Sequence, residues 1–448
     1  MGGQSGDRAR SSIKHAKLIS GRPGRPRNRR TRHGAGHDDR GFITGGRLGH
    51  HNREAILPLS GLRVLDLTRI LAGPFCSMLL ADMGAEVVKV ESPEGGDPLR
   101  GQGVVRNGLS WYFAAFNRNK RSVTLNLRSE PGREALARLI AASDVLVENY
   151  RPGVLAAMGF DEARLKALKP ELVYCNISGF GTSGPYRDRP SFDFINQAMS
   201  GFMSVTGEPG GQPLRAGPPI ADLVGGLYGA LGVCAALVRR GRTGEGERVA
   251  ASLNNGLVSL LAFLAANYLA TGEEPARTGN DHPIVSPYGL FRTRDGEVAI
   301  APSQEQSYQR LIDAIGAPEL RDHPAFRSNA DRVRNRAAIN TAVEAKLTER
   351  TSEYWIETLN AAGVPCGRVM GLAEVFADPQ LLEQEMVLTQ HHPGHGNVQM
   401  IGFPIKFAEA PCQLRRPTPE LGADTDAVLR EIGYSEQEIL QLRQLGAV

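Results

Sequence analysis

The chain has 448 residues, of which 41% are apolar and 22% charged, a soluble globular composition with length for two or three domains. Its net charge of +4 is uneven: the first 50 residues carry +9 and the other 398 carry −5, so the body is mildly acidic and no nucleic-acid partner is expected for it. The five cysteines, Cys76, Cys175, Cys234, Cys366 and Cys412, form no CxxC pair, which argues against a disulfide framework or structural zinc and for reduced thiols in a cytoplasmic protein.

Residues 1–55 form a Gly/Arg-rich basic tail without periodicity, expected to be disordered. "GRPGRPR" resembles a minor-groove-reading arm only superficially, and "MGGQSG" has Gly6 where a myristoylation signal needs Ser or Thr. The tail reads as a dispensable extension. Order begins near Ile56. "LRVLDLTRI" (62–70) predicts a buried strand, "AGPFCSMLLADMG" a helix closed by Gly84, and "AEVVKVE" a second strand. Strand–helix–strand is the unit of a parallel, doubly wound sheet. "NKRSVTLNL", "SDVLVENYRPG", "LVYCNIS" and "ERVAASL" supply further strands, with helices near 131–142, 192–204 and 221–240 between them.

Residues 249–272 hold no charge over 24 positions, long enough for a membrane span. Asn254, Asn255 and Asn267 dilute the segment, and no basic flank biases one side. One buried helix of a soluble protein is expected, with no membrane. After residue 285 the pattern changes. "YGLFRTRDGEVAIAP" reads as a hairpin turning at Asp295-Gly296, and charged helices follow at 304–315 and about 337–361. The predicted fold class is α/β, with a Rossmann-like large domain over 56–285 and a smaller α+β domain over 286–400. Residues 401–448 are expected to return to the large domain.

Motifs narrow the chemistry. The turn after the first strand reads "TRILAGP" and lacks GxGxxG, so Glu91 at the end of the second strand has no dinucleotide fingerprint beside it. "GFGTSG" (179–184) has the glycines, but Pro185 and "YRDRP" follow instead of a helix N-terminus. "HHPGHG" (391–396) has no carboxylate or cysteine at ligand spacing and reads as a solvated loop, so no metal is expected. No GxSxG or P-loop is present.

Asp222 stands apart. It follows Pro218-Pro219 and opens an apolar helix rich in glycine, at 225, 226, 229 and 232. A carboxylate in a first helical turn can simply cap the helix. Yet glycine is unfavourable by about 1 kcal/mol in a helix interior, so four of them imply that another backbone or a ligand comes close. A carboxylate kept ionised by the helix start in such a crevice is a usable nucleophile.

Six segments in order resemble the family III CoA-transferases. They are "LSGLRVLDLTRILAGPFCSMLLADMGAEVVKVESPEGGDPLR", "FNRNKRSVTLNL", "SDVLVENYRPG", "ISGFGTSGPY", "FDFINQAMSGFMSVTG" and "RAGPPIADLVGGLYGALGVCAALVRRGRTGEGERV". The likeness covers about 56–448. It implies an interlocked-ring homodimer, acyl-CoA and a small carboxylic acid as substrates, no permanently bound cofactor, and Asp222 as the nucleophile that forms an anhydride and then an aspartyl-CoA thioester. Carried over by position, CoA contacts fall on Ile70, Leu71, Ala72, Leu125, Arg128, Asn149, Tyr150 and Met158, with Phe192 and Asp193 in the substrate pocket. Arg100, Lys120 and Arg121 are added as candidate phosphate contacts. Formyl-CoA transferases have Gln and Tyr where this chain has Leu71 and Phe192, and related 2-methylacyl-CoA racemases have a His at Phe192, so both specificities fit poorly. Relatives often carry Arg at Ala157, so another basic residue must compensate. A racemase and a non-catalytic CoA-binding protein remain as rival readings.

Overall fold

The computed structural model describes residues 56–448; the expectations for the basic tail fall outside these residues. Six strands build the central sheet: β1 (Arg63–Asp66), β2 (Glu86–Glu91), β3 (Lys120–Thr124), β4 (Val145–Glu148), β5 (Val173–Ser178) and β6 (Glu247–Ser252). All neighbours run parallel, in the order β3-β2-β1-β4-β5-β6. This is the doubly wound order, which reverses direction between β1 and β4. The first strand ends at Asp66, four residues short of the predicted Ile70. The chain then turns into a loop in which Ile70 adopts a left-handed φ of 68°.

Alternation along the strands feeds two cores, one on each face. Leu65, Val88, Val123 and Leu146 face the helix α1 covering residues Glu130–Ala141, together with Val428, Leu429, Ile439 and Leu442 from the C-terminal helices. Val64, Val87, Val147, Cys175 and Ile177 face two other helices, α2 (Ala72–Asp82) and α3 (Ile220–Thr243). The last residues are therefore tied to the large sheet, and Asn126 donates its backbone N–H to Ala447 O at 2.8 Å.

The helix predicted near 192–204 is shorter, α4 (Asp193–Met199), followed by a 3-10 turn at Met203–Val205. The uncharged segment 249–272 is not one buried helix. It comprises the end of β6, then Leu253–Leu260 and Ala262–Thr271, with a 77° bend between the two helices. None of Ala262–Thr271 is buried, and Leu269 is 82% exposed. The left-handed Ala262 (φ 48°) marks the bend.

A separate core, from Phe291 to Cys366, packs around a three-stranded antiparallel sheet, Gly289–Arg292, Glu297–Ile300 and Cys366–Gly367. Its turn spans Thr293–Gly296, as the Asp295-Gly296 signal predicts. The charged helix expected near 337–361 is two, Arg336–Leu347 and Ser352–Ala361, with Thr351 capping the second.

Candidate active site

Ligands of doubly wound sheets sit outside the carboxyl ends of the strands, where strand order reverses. Here a cavity of about 550 Å³ opens at that place. The loop after β1 supplies Arg69, Ile70, Leu71 and Ala72; the loop after β4 supplies Asn149 and Tyr150; Phe192 and Asp222 complete the wall. A second cavity of about 520 Å³ shares Arg69 and Tyr150 and continues past Leu125, Arg128, Arg133 and Met158. Together they make an elongated site with Asp222 at one end and a recess bearing Arg128 and Arg133 at the other.

Asp222 lies half-buried in the first turn of α3. The sequence allowed Asp222 to be a helix cap, but the cap comes from elsewhere. Asp193, at the start of α4, accepts the Ala221 N–H at 2.8 Å through Oδ1, and Gln197 Nε2 at 2.7 Å through Oδ2. Gln197 in turn accepts the Ala216 N–H at 2.8 Å. Asp193 thus fastens the Pro-rich strap that launches α3, and Asp222 is left facing the cavity. The expectation that the helix start keeps Asp222 ionised is corrected accordingly. Burial, reinforced by the Asp193 charge, pushes its carboxyl up to about 7. A carboxylate poised near neutrality without a counter-ion is a mark of a functional site rather than of a structural pair.

The glycines of α3 face this chain's own helix and sheet, so the close approach they signalled is made by this chain and not by a ligand. A Cβ at Gly226 would meet Ala72 O at 2.6 Å, and one at Gly229 would meet Ile177 Cδ1 at 2.8 Å. They let α3 press against α2 and β5, so that Asp222 arrives beside the loop at 69–72.

That loop is held from below. Lys89 Nζ pairs with Asp97 at 3.0 Å and donates to Thr68 O at 2.7 Å. Asp97 also accepts the N–H of the left-handed Ile70, at 3.2 and 3.3 Å. Asn149 clasps the loop from the side, accepting the Arg69 N–H at 2.9 Å and donating to Arg69 O at 2.8 Å. Asn149 lines the cavity, but its carboxamide is already committed to the loop.

The profile of CoA-transferase family III matches residues 59–425. The chain belongs to CoA-transferase family III. It is 36% identical over 395 residues to the human succinyl-CoA:glutarate CoA-transferase, covering 88% of this chain and 90% of that one. It is 37% identical to the acetyl-CoA:oxalate CoA-transferase of Acetobacter aceti, covering 85% and 97%. The crystal structure of a CAIB/BAIF family protein from Brucella suis superposes with a TM-score of 0.74 at 39% identity, covering 84% of this chain and 99% of that one. This protein is accordingly an enzyme of the CoA-transferase class.

In this family III enzyme, Ile70, Leu71, Ala72, Asn149, Tyr150, Phe192 and Asp222 line one cavity, and Leu125, Arg128, Tyr150 and Met158 the other. Leu71 and Leu125 are almost wholly covered, so they shape the walls from behind. Three phosphate candidates are corrected. Lys120 is 1% exposed, and its ammonium donates to Asp66, Pro74 O and Asn117. Arg121 is locked between Glu86 and Glu431. Arg100 is paired with Glu91 and lies 3.9 Å over the Phe113 ring. No phosphate reaches these groups without breaking an ion pair that each already makes. Glu91 is occupied by Arg100, Ser122 and the Asp97 N–H. Arg69 and Arg133, which no motif marked, line the second cavity with Arg128 and Ala157. Tyr112 was also missed; burial and the charges of Asp222, Asp193 and Asp97 push its phenol up.

The histidines at 391–396 do not sit in a solvated loop. They close a hairpin, Val387–His392 with Gly396–Ile401, and His392 is buried. Glu420, distant in sequence, joins His392 and His395. His392 Nε2 lies 2.8 Å from Thr418 O, which can only accept, while its Nδ1 accepts the Gly394 N–H. That ring has no lone pair free to bind a cation. The cluster is a hydrogen-bond clip between the hairpin and the C-terminal segment.

Proposed function

We propose that this enzyme moves CoA from an acyl-CoA to a short dicarboxylic acid, with Asp222 as the nucleophile. The observation that carries the reading is a carboxylate without an ion-pair partner, in a cavity that shares Arg69 and Tyr150 with a second, equally large recess. An Asp222 oxygen attacks the thioester carbonyl, the C–S bond breaks, and CoA leaves as thiolate with a mixed anhydride behind it. The thiolate attacks the aspartyl carbonyl, releasing the donor acid and leaving an aspartyl-CoA thioester. An acceptor carboxylate repeats the exchange, and the thiolate departs with the new acyl group while Asp222 is regenerated. Each step trades anhydride for thioester, so the scheme balances without ATP. Exclusion of water protects the anhydride, and the burial that raises Asp222 supports such exclusion. The acceptor class follows the relatives, whose names specify glutarate, oxalate and mesaconate.

Arg69, Arg128 and Arg133 are the groups best placed for the CoA phosphates. The homodimer expected from the resemblance is supported by large apolar side chains left exposed on several helices. Leu227 and Leu231 of α3, Phe194 and Ile195 of α4, and Leu269 are all exposed, more than a monomer ordinarily leaves to water. A racemase reading gains nothing at Phe192, which offers no base for proton exchange.

The test is direct transfer. Incubated with succinyl-CoA and glutarate, the enzyme should form glutaryl-CoA and succinate in equal amounts with little free CoA. Hydrolysis alone, or racemisation of a 2-methylacyl-CoA without any acceptor acid, would overturn the reading.

A further inference from the structure

The cavity at Asp222 carries four arginines, Arg69, Arg151, Arg187 and Arg189, against a single carboxylate, Asp222 itself. They divide by origin. Arg69 also lines the second recess and lies 5.9 Å over the Tyr150 ring, and Arg151 follows Tyr150 on the same loop. Arg187 and Arg189 come from a separate segment, the irregular stretch that leads from β5 into Phe192 and Asp193. Both are exposed. Arg189 stacks 3.7 Å over the Tyr186 ring, and Arg187 pairs with its neighbour Asp188, itself exposed, at 3.3 Å. Neither holds the Asp222 carboxyl down, which burial and then the Asp193 charge push up.

We infer that Arg187 and Arg189 select the acceptor by binding the carboxylate that does not react. The inference rests on the transfer reading above and deepens it. A monocarboxylic acceptor loses its charge once its carboxylate is acylated. A dicarboxylic acceptor keeps one negative charge through the anhydride and the product thioester. Carrying that charge into a partly dry cavity is unfavourable unless a fixed counter-charge receives it. Guanidinium groups suit a planar carboxylate in two-point contact. Because the two arginines stand apart from the nucleophile, they can hold one end of a short chain while the other end meets Asp222.

The test compares glutarate with butyrate as acceptors, with acetyl-CoA as donor, in Arg187→Met, Arg189→Met and the double variant. The glutarate-to-butyrate ratio of kcat/KM should fall on the order of 10- to 100-fold in the double variant, as for loss of charged hydrogen bonds, chiefly through the KM for glutarate. Arg189→Lys should recover part of the ratio. The KM for acetyl-CoA should change by less than about 2-fold, since the donor makes no use of these groups. An unchanged ratio, an equal fall for both acceptors, or a matching rise in the acetyl-CoA KM, which would place the arginines on the CoA phosphates, overturns the inference. Acylation of Asp222 by acetyl-CoA alone separates the two levels. An adduct with an unchanged ratio removes only the selector role, whereas no adduct in the unaltered enzyme removes the transfer reading beneath it.

Discussion

Two groups of carboxylates sit at the same end of the sheet and behave oppositely. Asp66 is fully buried, yet Lys120 and Lys89, aided by Ser77 and Thr68, overcome the burial and hold it down to about 2. Burial draws Lys120 itself down to about 8 against the pull of Asp66. Asp222 is less deeply placed, has no ion-pair partner, and is pushed up to about 7. The first group resembles a structural rivet: every charge is matched, and it fixes the loop at 69–72. The second is left unmatched where a substrate enters. Chemistry lies where the fold withholds a partner, and the matched network next to it keeps the geometry in place.

Removing Asp222 should have the largest effect. Asp222→Asn is expected to lower transfer on the order of 10³-fold or more, as when a covalent nucleophile is removed, while the protein stays folded. The same variant should be more stable at high pH. The folded pKa lies above the usual 3.8, so this group withdraws stability as pH rises from about 4 through 7. A Tm gain at pH 8 that shrinks toward pH 4 would confirm the sign, and a Tm loss at pH 8 would contradict it.

Breaking the matched side should unfold rather than inactivate. Lys120→Met leaves Asp66 buried without its ion-pair partner and is expected to destabilise by about 3–5 kcal/mol, read by denaturant unfolding. A mild loss of stability would dissolve the contrast between the two groups.

Asp193→Asn sharpens the comparison. It keeps an acceptor for the Ala221 N–H but removes the charge beside Asp222. The rising limb of kcat/KM, set near 7 by the ionisation of Asp222, should move to lower pH. An unmoved limb would mean that burial alone sets it.

Arg100→Met should have the smallest effect on turnover. The KM for acyl-CoA should stay within about 2-fold, while Tm falls because Glu91 is left buried without its guanidinium partner. A large rise in KM would return Arg100 to the phosphate site.

Much of this was legible in the sequence because it is periodic or local. Alternating apolar runs marked all six central strands. Two prolines marked the start of α3, and the four glycines signalled a close approach, though not which surface approached. What escaped was set by tertiary contact. Lys120 and Arg121 open β3 in a polar run that reads as exposed, and only the fold shows that both are enclosed by acids from other segments. The cap of α3 comes from Asp193, 28 positions away along the chain. The residues at 262–271 looked buried because they are uncharged, but an apolar helix can equally face a second chain. Arg187 and Arg189 looked like loop charges until the loop was seen to border the nucleophile.

The most direct test of the central claim is to expose the enzyme to acyl-CoA without acceptor, quench with hydroxylamine or borohydride, and map the modified peptide by mass. The account predicts a single modification at Asp222, absent from Asp222→Asn. An unmodified Asp222 in an enzyme that still transfers CoA would contradict it.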